Sequence, residues 1–285
     1  MVNPAAGPAS LDAKKRMIAG VAAVLGSETV VEGWKTASSE DLCEAARDVA
    51  GRVDVLVVAG GDGTLSDVLN AVDPSTVLAY IPLGSGNAWR KTLGLEGYPR
   101  KIAAAIRGGR ERAIDLVLCD GNRKGIFASI GLEGHVLGER EKHLLRGTTG
   151  FRAYVKATAR SVLLRGYKRK EAEVAIDGDM TEVRGLTTLI VSKTPYYGYG
   201  FRVVPQARVD DGYLHVLIVC TGFFGTVAAI ATSFLGGNRM GDYRTGKIVS
   251  VRTAEDAYLQ IDGNLQRQGK DFRFEVLPKA LRVRS

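Results

Sequence analysis

Asp54-Val55-Leu56-Val57-Val58-Ala59-Gly60-Gly61-Asp62-Gly63-Thr64 decides the fold. Its first half is a continuous apolar run, the pattern of a parallel strand covered on both faces. Its second half is a glycine turn that leads into helical sequence from Leu65 to Val72. The same order recurs downstream. Val77 to Ile81 reads as a strand, Pro82-Leu83-Gly84-Ser85-Gly86-Asn87 as a turn, and Ala88 to Leu93 as a helix. Upstream, Ile18, Val21, Ala22 and Leu25 fall at helical spacing within Leu11 to Leu25. Thr29 to Val31 reads as a short strand, and Ser38 or Ser39 caps a helix running to about Ala50. Strands alternating with helices predict an open α/β sheet.

In such sheets ligands bind at the carboxyl ends of the strands. Glycines there let backbone N–H groups approach a ligand, and a following helix N-terminus favours phosphate. Two such turns on neighbouring strands are a stronger signal than either alone. Neither is followed by the Gly-Lys-Ser/Thr of a Walker A loop, and neither fits G-x-G-x-x-G. Phosphates would therefore be held by backbone N–H groups with Thr64, Ser85 and Asn87. Asp62 puts a carboxylate beside the presumed polyphosphate. It needs a reason: a metal ion, a donor hydroxyl, the nucleotide sugar, or a turn that uses its side chain.

The chain has 285 residues, a length that leaves one or two domains open. Hydrophobic residues at 45% and charged residues at 25% are those of a globular protein. The formal charge of +8 favours anionic partners, nucleotides and acidic membrane surfaces among them. Cys43, Cys119 and Cys220 have no C-x-x-C spacing, so they read as small buried hydrophobes of a reducing compartment. Met1-Val2-Asn3-Pro4 has no basic segment followed by an apolar one, so no signal peptide is expected and the location is cytoplasmic. The longest apolar stretch, Phe223 to Leu235, is too short and too interrupted by Gly225, Thr226, Thr232 and Ser233 to span a bilayer. Beyond about Leu116 short strand-like runs dominate, such as Ala172 to Ile176, Thr187 to Val191, Tyr213 to Val219, Ala257 to Ile261 and Asp271 to Val276. They predict a β-rich second domain. Glu139 to Lys170 is basic and helical in texture, either a docking face for anionic head groups or a solvated helix.

Asn3-Pro4-Ala5-Ala6-Gly7, Gly60 to Thr64 and Pro82 to Asn87 together resemble the signature motifs of the diacylglycerol kinase catalytic family, which includes sphingosine and ceramide kinases. The likeness continues in order through Ile114-Asp115, Ser129-Ile130-Gly131, Tyr196-Tyr197-Gly198, Pro205-Gln206-Ala207, Asp210-Asp211-Gly212 and Gln260-Ile261-Asp262-Gly263. The resemblance implies an α/β nucleotide-binding domain (residues 1–116, with a final strand at about 277–285 returning to it) and a C-terminal β-sandwich (residues 117–276), with ATP in the cleft between. It implies transfer of the γ-phosphate of ATP to a lipid hydroxyl, of diacylglycerol or a related lipid such as a sphingoid base. ATP contacts would come from Asn3, Thr36, Gly60, Gly61, Asp62, Gly63, Thr64, Gly84, Ser85, Gly86 and Asn87. Mg²⁺ would lie at Asp211 with the carbonyls of Arg208 and Tyr213. Asp262 would be the catalytic base, with Asp62 the alternative. The partners implied are a membrane lipid and, peripherally, an anionic membrane surface, with no nucleic acid.

Three departures stand out. Asn264 takes the place of a usual Glu, Ala88 that of a frequent Asp, and few apolar residues precede Asn3 to make a first strand. Gly-Gly-Asp-Gly-Thr alone is shared with NAD kinases, so a soluble-metabolite kinase is the second reading. A catalytically weak nucleotide- or lipid-binding protein is the third.

Overall fold

β1 (Leu56–Gly60) and β2 (Val77–Pro82) pair in parallel, with Leu56 opposite Leu78 and Gly60 opposite Pro82. Every β2 residue but Pro82 is buried, as the unbroken apolar run requires. The far edge of β2 pairs in parallel with Arg282 and Val283 of the last strand, β14 (Asn264–Arg284). This computed structural model describes residues 1–84, 86, 88–137, 168–198 and 200–285. They form two units. The first comprises Met1–Ile114, Gly198–Gly200 and Pro278–Ser285, and the second Asp115–Tyr197 and Phe201–Leu277.

In the first unit α1 (Leu11–Leu25), α2 (Ser39–Ala50), α3 (Asp62–Ala71), α4 (Ala88–Thr92) and α5 (Pro99–Gly108) join the strands. Ser38 and Asp41 close a reciprocal cap on α2, each side chain accepting from the other's backbone N–H at 3.1 Å. α5 was not foreseen, although Pro99 at its first turn and buried Ile102, Ala103 and Ile106 at helical spacing carry the signal. Thr29 to Val31 forms no strand. The edge beside β1 is taken instead by Met1–Asn3. Val2 bridges Ala59 in parallel, Asn3 N–H donates to the Ala59 carbonyl at 3.0 Å, and Ala59 N–H donates to that of Met1 at 2.8 Å. Three residues thus cover the edge that the sequence seemed to leave bare.

The second unit is a β-sandwich built around β13 (Ile248–Ile261). β13 pairs antiparallel with β14, then with β6 (Lys170–Ile176) through Val249–Thr253 and with β5 (Phe127–Gly131) through Leu259–Ile261. A register break between Arg252 and Ala257 separates the two pairings, so one bent strand serves both layers. β6 continues to β7 (Asp179–Leu186), and β5 to β8 (Thr188–Ser192), β11 (Leu214–Val219) and β12 (Asp242–Gly246). β3 (Glu111–Cys119) enters this unit from Asp115 and pairs with β4 (Arg123–Gly125). The short pair β9 (Tyr196–Tyr197) and β10 (Phe201–Arg202) and the helix α6 (Phe223–Leu235) complete the unit. Its core joins Ala128, Ile130, Val174, Leu189, Val216, Val249 and Phe274. Among the cysteines only Cys119 is buried; Cys43 is half-buried and Cys220 exposed, which corrects the expectation of three buried thiols.

Phe274 is fully buried in that core. Phe274→Ala is expected to destabilise the chain by about 3–5 kcal/mol, read as a lower urea midpoint by circular dichroism.

Candidate functional site

The two glycine turns of the first unit lie against each other. Leu83 N–H donates to the Gly60 carbonyl at 2.7 Å and starts the second turn beside the first. A Cβ on Gly84 would stand 2.9 Å from the Gly61 Cα, and one on Gly7 would collide with the Leu83 carbonyl. The Asn3–Gly7 loop and both turns therefore meet at separations only glycine permits. Gly86 is less tightly constrained, a Cβ there standing 3.0 Å from Asp62 Oδ2.

Asp62 locks the arrangement. Its Oδ2 accepts from Ala88 N–H at 2.8 Å and its Oδ1 from Trp89 N–H at 3.2 Å, so a residue of the first turn caps the helix that follows the second. Burial pushes its carboxyl up from the usual range, against the pull of those two N–H groups and of Tyr80. The Tyr80 hydroxyl lies 3.2 Å from the Gly60 carbonyl, and burial beside Asp62 pushes the phenol well above its ordinary value.

The start of α3 is arranged differently. Gly61 at its N-cap offers no side chain, and Thr64 Oγ1 accepts from Gly61 N–H at 3.3 Å. Asn3 Nδ2 donates to the same hydroxyl at 2.9 Å, while Asn3 Oδ1 accepts from Ala5 N–H at 2.9 Å. The amides of Asp62, Gly63 and Thr64, orphaned by helix geometry, are the donors this end presents to an anion. Lys14, buried in α1 and missed in the sequence, places its ammonium 2.7 Å from the Pro4 carbonyl beneath the same loop. Thr36 gives its hydroxyl proton to the Gly33 carbonyl at 2.8 Å, inside its own turn. Ser85 and Asn87 lie outside the described residues.

In the second unit Asp262 occupies the tight hairpin between β13 and β14. It has φ 49° and Gly263 φ 82°, the positive pair such a turn needs. Asp262 Oδ1 accepts from Ile126 N–H at 3.1 Å and Phe127 N–H at 3.0 Å. A Cβ on Gly125 would stand 2.8 Å from Asp262 Oδ2, so that glycine makes room for the carboxylate. Gln260 steadies the turn, with Nε2 donating to Ser129 Oγ at 2.9 Å and Oε1 accepting from Gly263 N–H at 2.9 Å. Asn264 pairs with Ile261 as the first residue beyond the turn.

Asp211 and the Tyr213 carbonyl do converge, and on Lys193 Nζ, at 2.6 Å each. Asp115 Oδ2 lies 3.0 Å from the same ammonium. Burial alone would raise the Asp211 carboxyl, but Lys193 beside it, with the Tyr213 N–H, holds it below the usual range. His215 Nε2 accepts from Arg208 N–H at 3.1 Å and lies 3.0 Å from Asp211 Oδ2, while Nδ1 meets the Tyr243 hydroxyl at 2.7 Å. Burial lowers the imidazole's pKa, matching its acceptor role. Mg²⁺ takes near-octahedral oxygens at about 2.0–2.1 Å. This donor set, as arranged, holds an ammonium and does not fit that ion. Among the described residues no cluster of three or more His, Cys, Asp or Glu could hold a metal. Lys193, which follows β8 directly, was missed in the sequence.

Residues 1–119 match the diacylglycerol kinase catalytic domain, and residues 128–285 match the YegS C-terminal NAD kinase beta sandwich-like domain. A probable lipid kinase YegS-like from Pseudomonas aeruginosa is 30% identical over 261 residues, 88% of this chain and 82% of its own. A diacylglycerol kinase from Staphylococcus saprophyticus is 28% identical over 77% of this chain and 73% of its own. In fold, the chain is similar to the crystal structure of a putative diacylglycerol kinase from Bacillus anthracis, with a TM-score of 0.80 at 23% identity over 99% of this chain and 94% of that one. An NAD kinase from Archaeoglobus fulgidus shares the fold at a TM-score of 0.54 and 14% identity, covering 100% of this chain and 92% of its own. The chain therefore belongs to the diacylglycerol kinase catalytic domain family, joined to a YegS-like C-terminal β-sandwich, among the bacterial lipid kinase homologues.

Proposed function

We propose that this chain transfers the γ-phosphate of ATP to a hydroxyl group of a membrane lipid, diacylglycerol or a related lipid such as a sphingoid base. The observation that carries the lipid side is an apolar cavity of about 110 Å³ in the second unit, walled by Val136, Ile190, Tyr197, Leu217, Val219 and the inner side of α6. α6 has no charged residue, and Phe224 and Leu235 on it are 85% and 88% exposed. No helix of the described residues is long and apolar enough to cross a membrane. The helix suits entry of an acyl chain from a bilayer surface. Exposed Lys168 and Arg169 add cations suited to an anionic head-group layer.

The nucleotide side rests on the α3 amides and the glycine turns, which suit phosphate oxygens. ATP is the co-substrate, supplied as its Mg²⁺ complex. The lipid oxygen forms a bond to the γ-phosphorus as the bond to the β-phosphate bridging oxygen breaks, and ADP leaves. Asp262 accepts the hydroxyl proton and returns it to solvent.

Labelled ATP presented with diacylglycerol, sphingosine, ceramide and phosphatidylglycerol in mixed micelles, with NAD as soluble control, tests this reading. Label in one lipid is expected; label in NAD alone would overturn it. Asp262→Asn should lower kcat by about 10²–10⁴-fold while nucleotide affinity stays within twofold. Asp62→Ala removes the cap that joins the two turns. It should destabilise the chain by about 1–2 kcal/mol and weaken ATP binding, measured by calorimetry.

Glu133 at the cavity edge gives a pH signature. Burial pushes its carboxyl above 4.5, and Thr188 Oγ1 contacts its Oε2. A carboxyl raised in the folded state favours folding when protonated, so its contribution declines as pH rises above about 4.5 through the raised value. Glu133→Gln keeps the shape without the charge. The variant should lose that decline, its thermal midpoint staying flatter than the parent's as pH rises above about 4.5, by scanning calorimetry.

A further inference from the structure

Lys193 is a fully buried charge of the second unit and has no part in the transfer chemistry above. Its side chain is 0% exposed. The backbone N–H of Lys193 donates to the Ile126 carbonyl at 2.7 Å, continuing the pairing of β8 one residue past its end. An ammonium has three N–H donors and no acceptor. Here three oxygens meet it: Asp211 Oδ1 at 2.6 Å, the Tyr213 carbonyl at 2.6 Å and Asp115 Oδ2 at 3.0 Å. Each carboxylate oxygen is also wired to backbone. Asp115 Oδ2 accepts from Gly212 N–H at 2.7 Å and Asp211 Oδ1 from Tyr213 N–H at 3.2 Å. One cation thus gathers β3, the end of β8 and the Asp211–Tyr213 turn.

Asp211 and the Tyr213 carbonyl are two of the oxygens that the family resemblance assigns to Mg²⁺. We propose that the Lys193 ammonium is a built-in replacement for a divalent cation at this turn, so that the second unit folds with no metal ion there. The carboxylate of Asp115 is buried and that of Asp211 is partly so, its side chain 26% exposed, and such a pair of like charges favours a cation between them. A tethered ammonium supplies it with no binding equilibrium, whereas a free ion would occupy the turn only at sufficient concentration. The ammonium also fills the point a metal would need, since the two oxygens cannot coordinate an ion while each lies 2.6 Å from Nζ. Any Mg²⁺ carried in by the nucleotide is a separate matter, and this inference does not depend on which lipid accepts phosphate.

Crystals of the nucleotide-free full chain soaked in Mn²⁺, read by anomalous scattering, test the proposal directly. No anomalous peak is expected within coordination distance of Asp211 and the Tyr213 carbonyl. A peak there, with Lys193 displaced, would overturn it. Lys193→Ala opens the position, and its thermal midpoint should fall by about 10 °C in EDTA. Added Mn²⁺ should recover part of that fall, while the nucleotide-free parent shows no Mn²⁺-dependent rise that Asp211→Asn abolishes. Such an Asp211-dependent rise in the parent would equally sink the proposal, and the parent measurements stand even if Lys193→Ala fails to fold.

Discussion

The two hydrogen bonds from Ala88 and Trp89 N–H to the Asp62 carboxylate are the constraint on which the first unit depends. Two parallel strands end side by side, and their turns must pass closer than a Cβ allows at Gly84. Glycine permits that approach without enforcing it. Asp62 enforces it, because one side chain holds the amides of the next strand's helix. The same bonds explain a carboxylate beside a proposed polyphosphate site. Its oxygens face the positive start of α4, which leaves the α3 amides to the anion. Burial raises the carboxyl while the amides lower it, so the clamp works against its own desolvation.

The second unit solves its placement problems with backbone as well. Asp262 sits in a hairpin whose two positive φ angles fix the Cα direction, and the amides of Ile126 and Phe127, at the entry to neighbouring β5, fix the carboxylate. The substitution at Asn264 lies one residue beyond this turn and leaves it intact. At the Asp211 turn the organising group is a cation, Lys193, whose three donors equal the number of oxygens that meet it.

The strand–turn–helix pairs were legible in the sequence because each level of the signal agrees. Apolar runs, glycines and caps all point to one parallel sheet. The chain's order of motifs carried the β-sandwich in the same way. Thr29 to Val31 misled because β propensity over three residues cannot decide pairing, and Met1–Asn3 took the edge beside β1 instead. Lys193 was illegible for a physical reason. A lysine in sequence says nothing of burial, and only the fold brings Asp115, Asp211 and the Tyr213 carbonyl to it. α5 was overlooked although its proline start and spacing were plain.

The lipid side was the least legible, and α6 shows why. Gly225, Thr226, Thr232 and Ser233 interrupt the stretch, which reads as too short and too polar to span a bilayer and as an amphipathic or buried helix. In the structure each hydroxyl donates back along the helix, Thr226 to Gly222 at 3.1 Å, Thr232 to Ala228 at 2.8 Å and Ser233 to Ala229 at 2.7 Å. Such back-bonding withdraws the hydroxyl protons from competition with solvent or ligand. The helix then presents an apolar surface around most of its girth, which a helix that only packs on a protein core does not need. One side lines the cavity, and the other leaves Phe224, Val227, Phe234 and Leu235 exposed. A helix with apolar demand on both sides suits a boundary between a protein cavity and a lipid phase, and a hydropathy count that scores each hydroxyl as polar cannot register it.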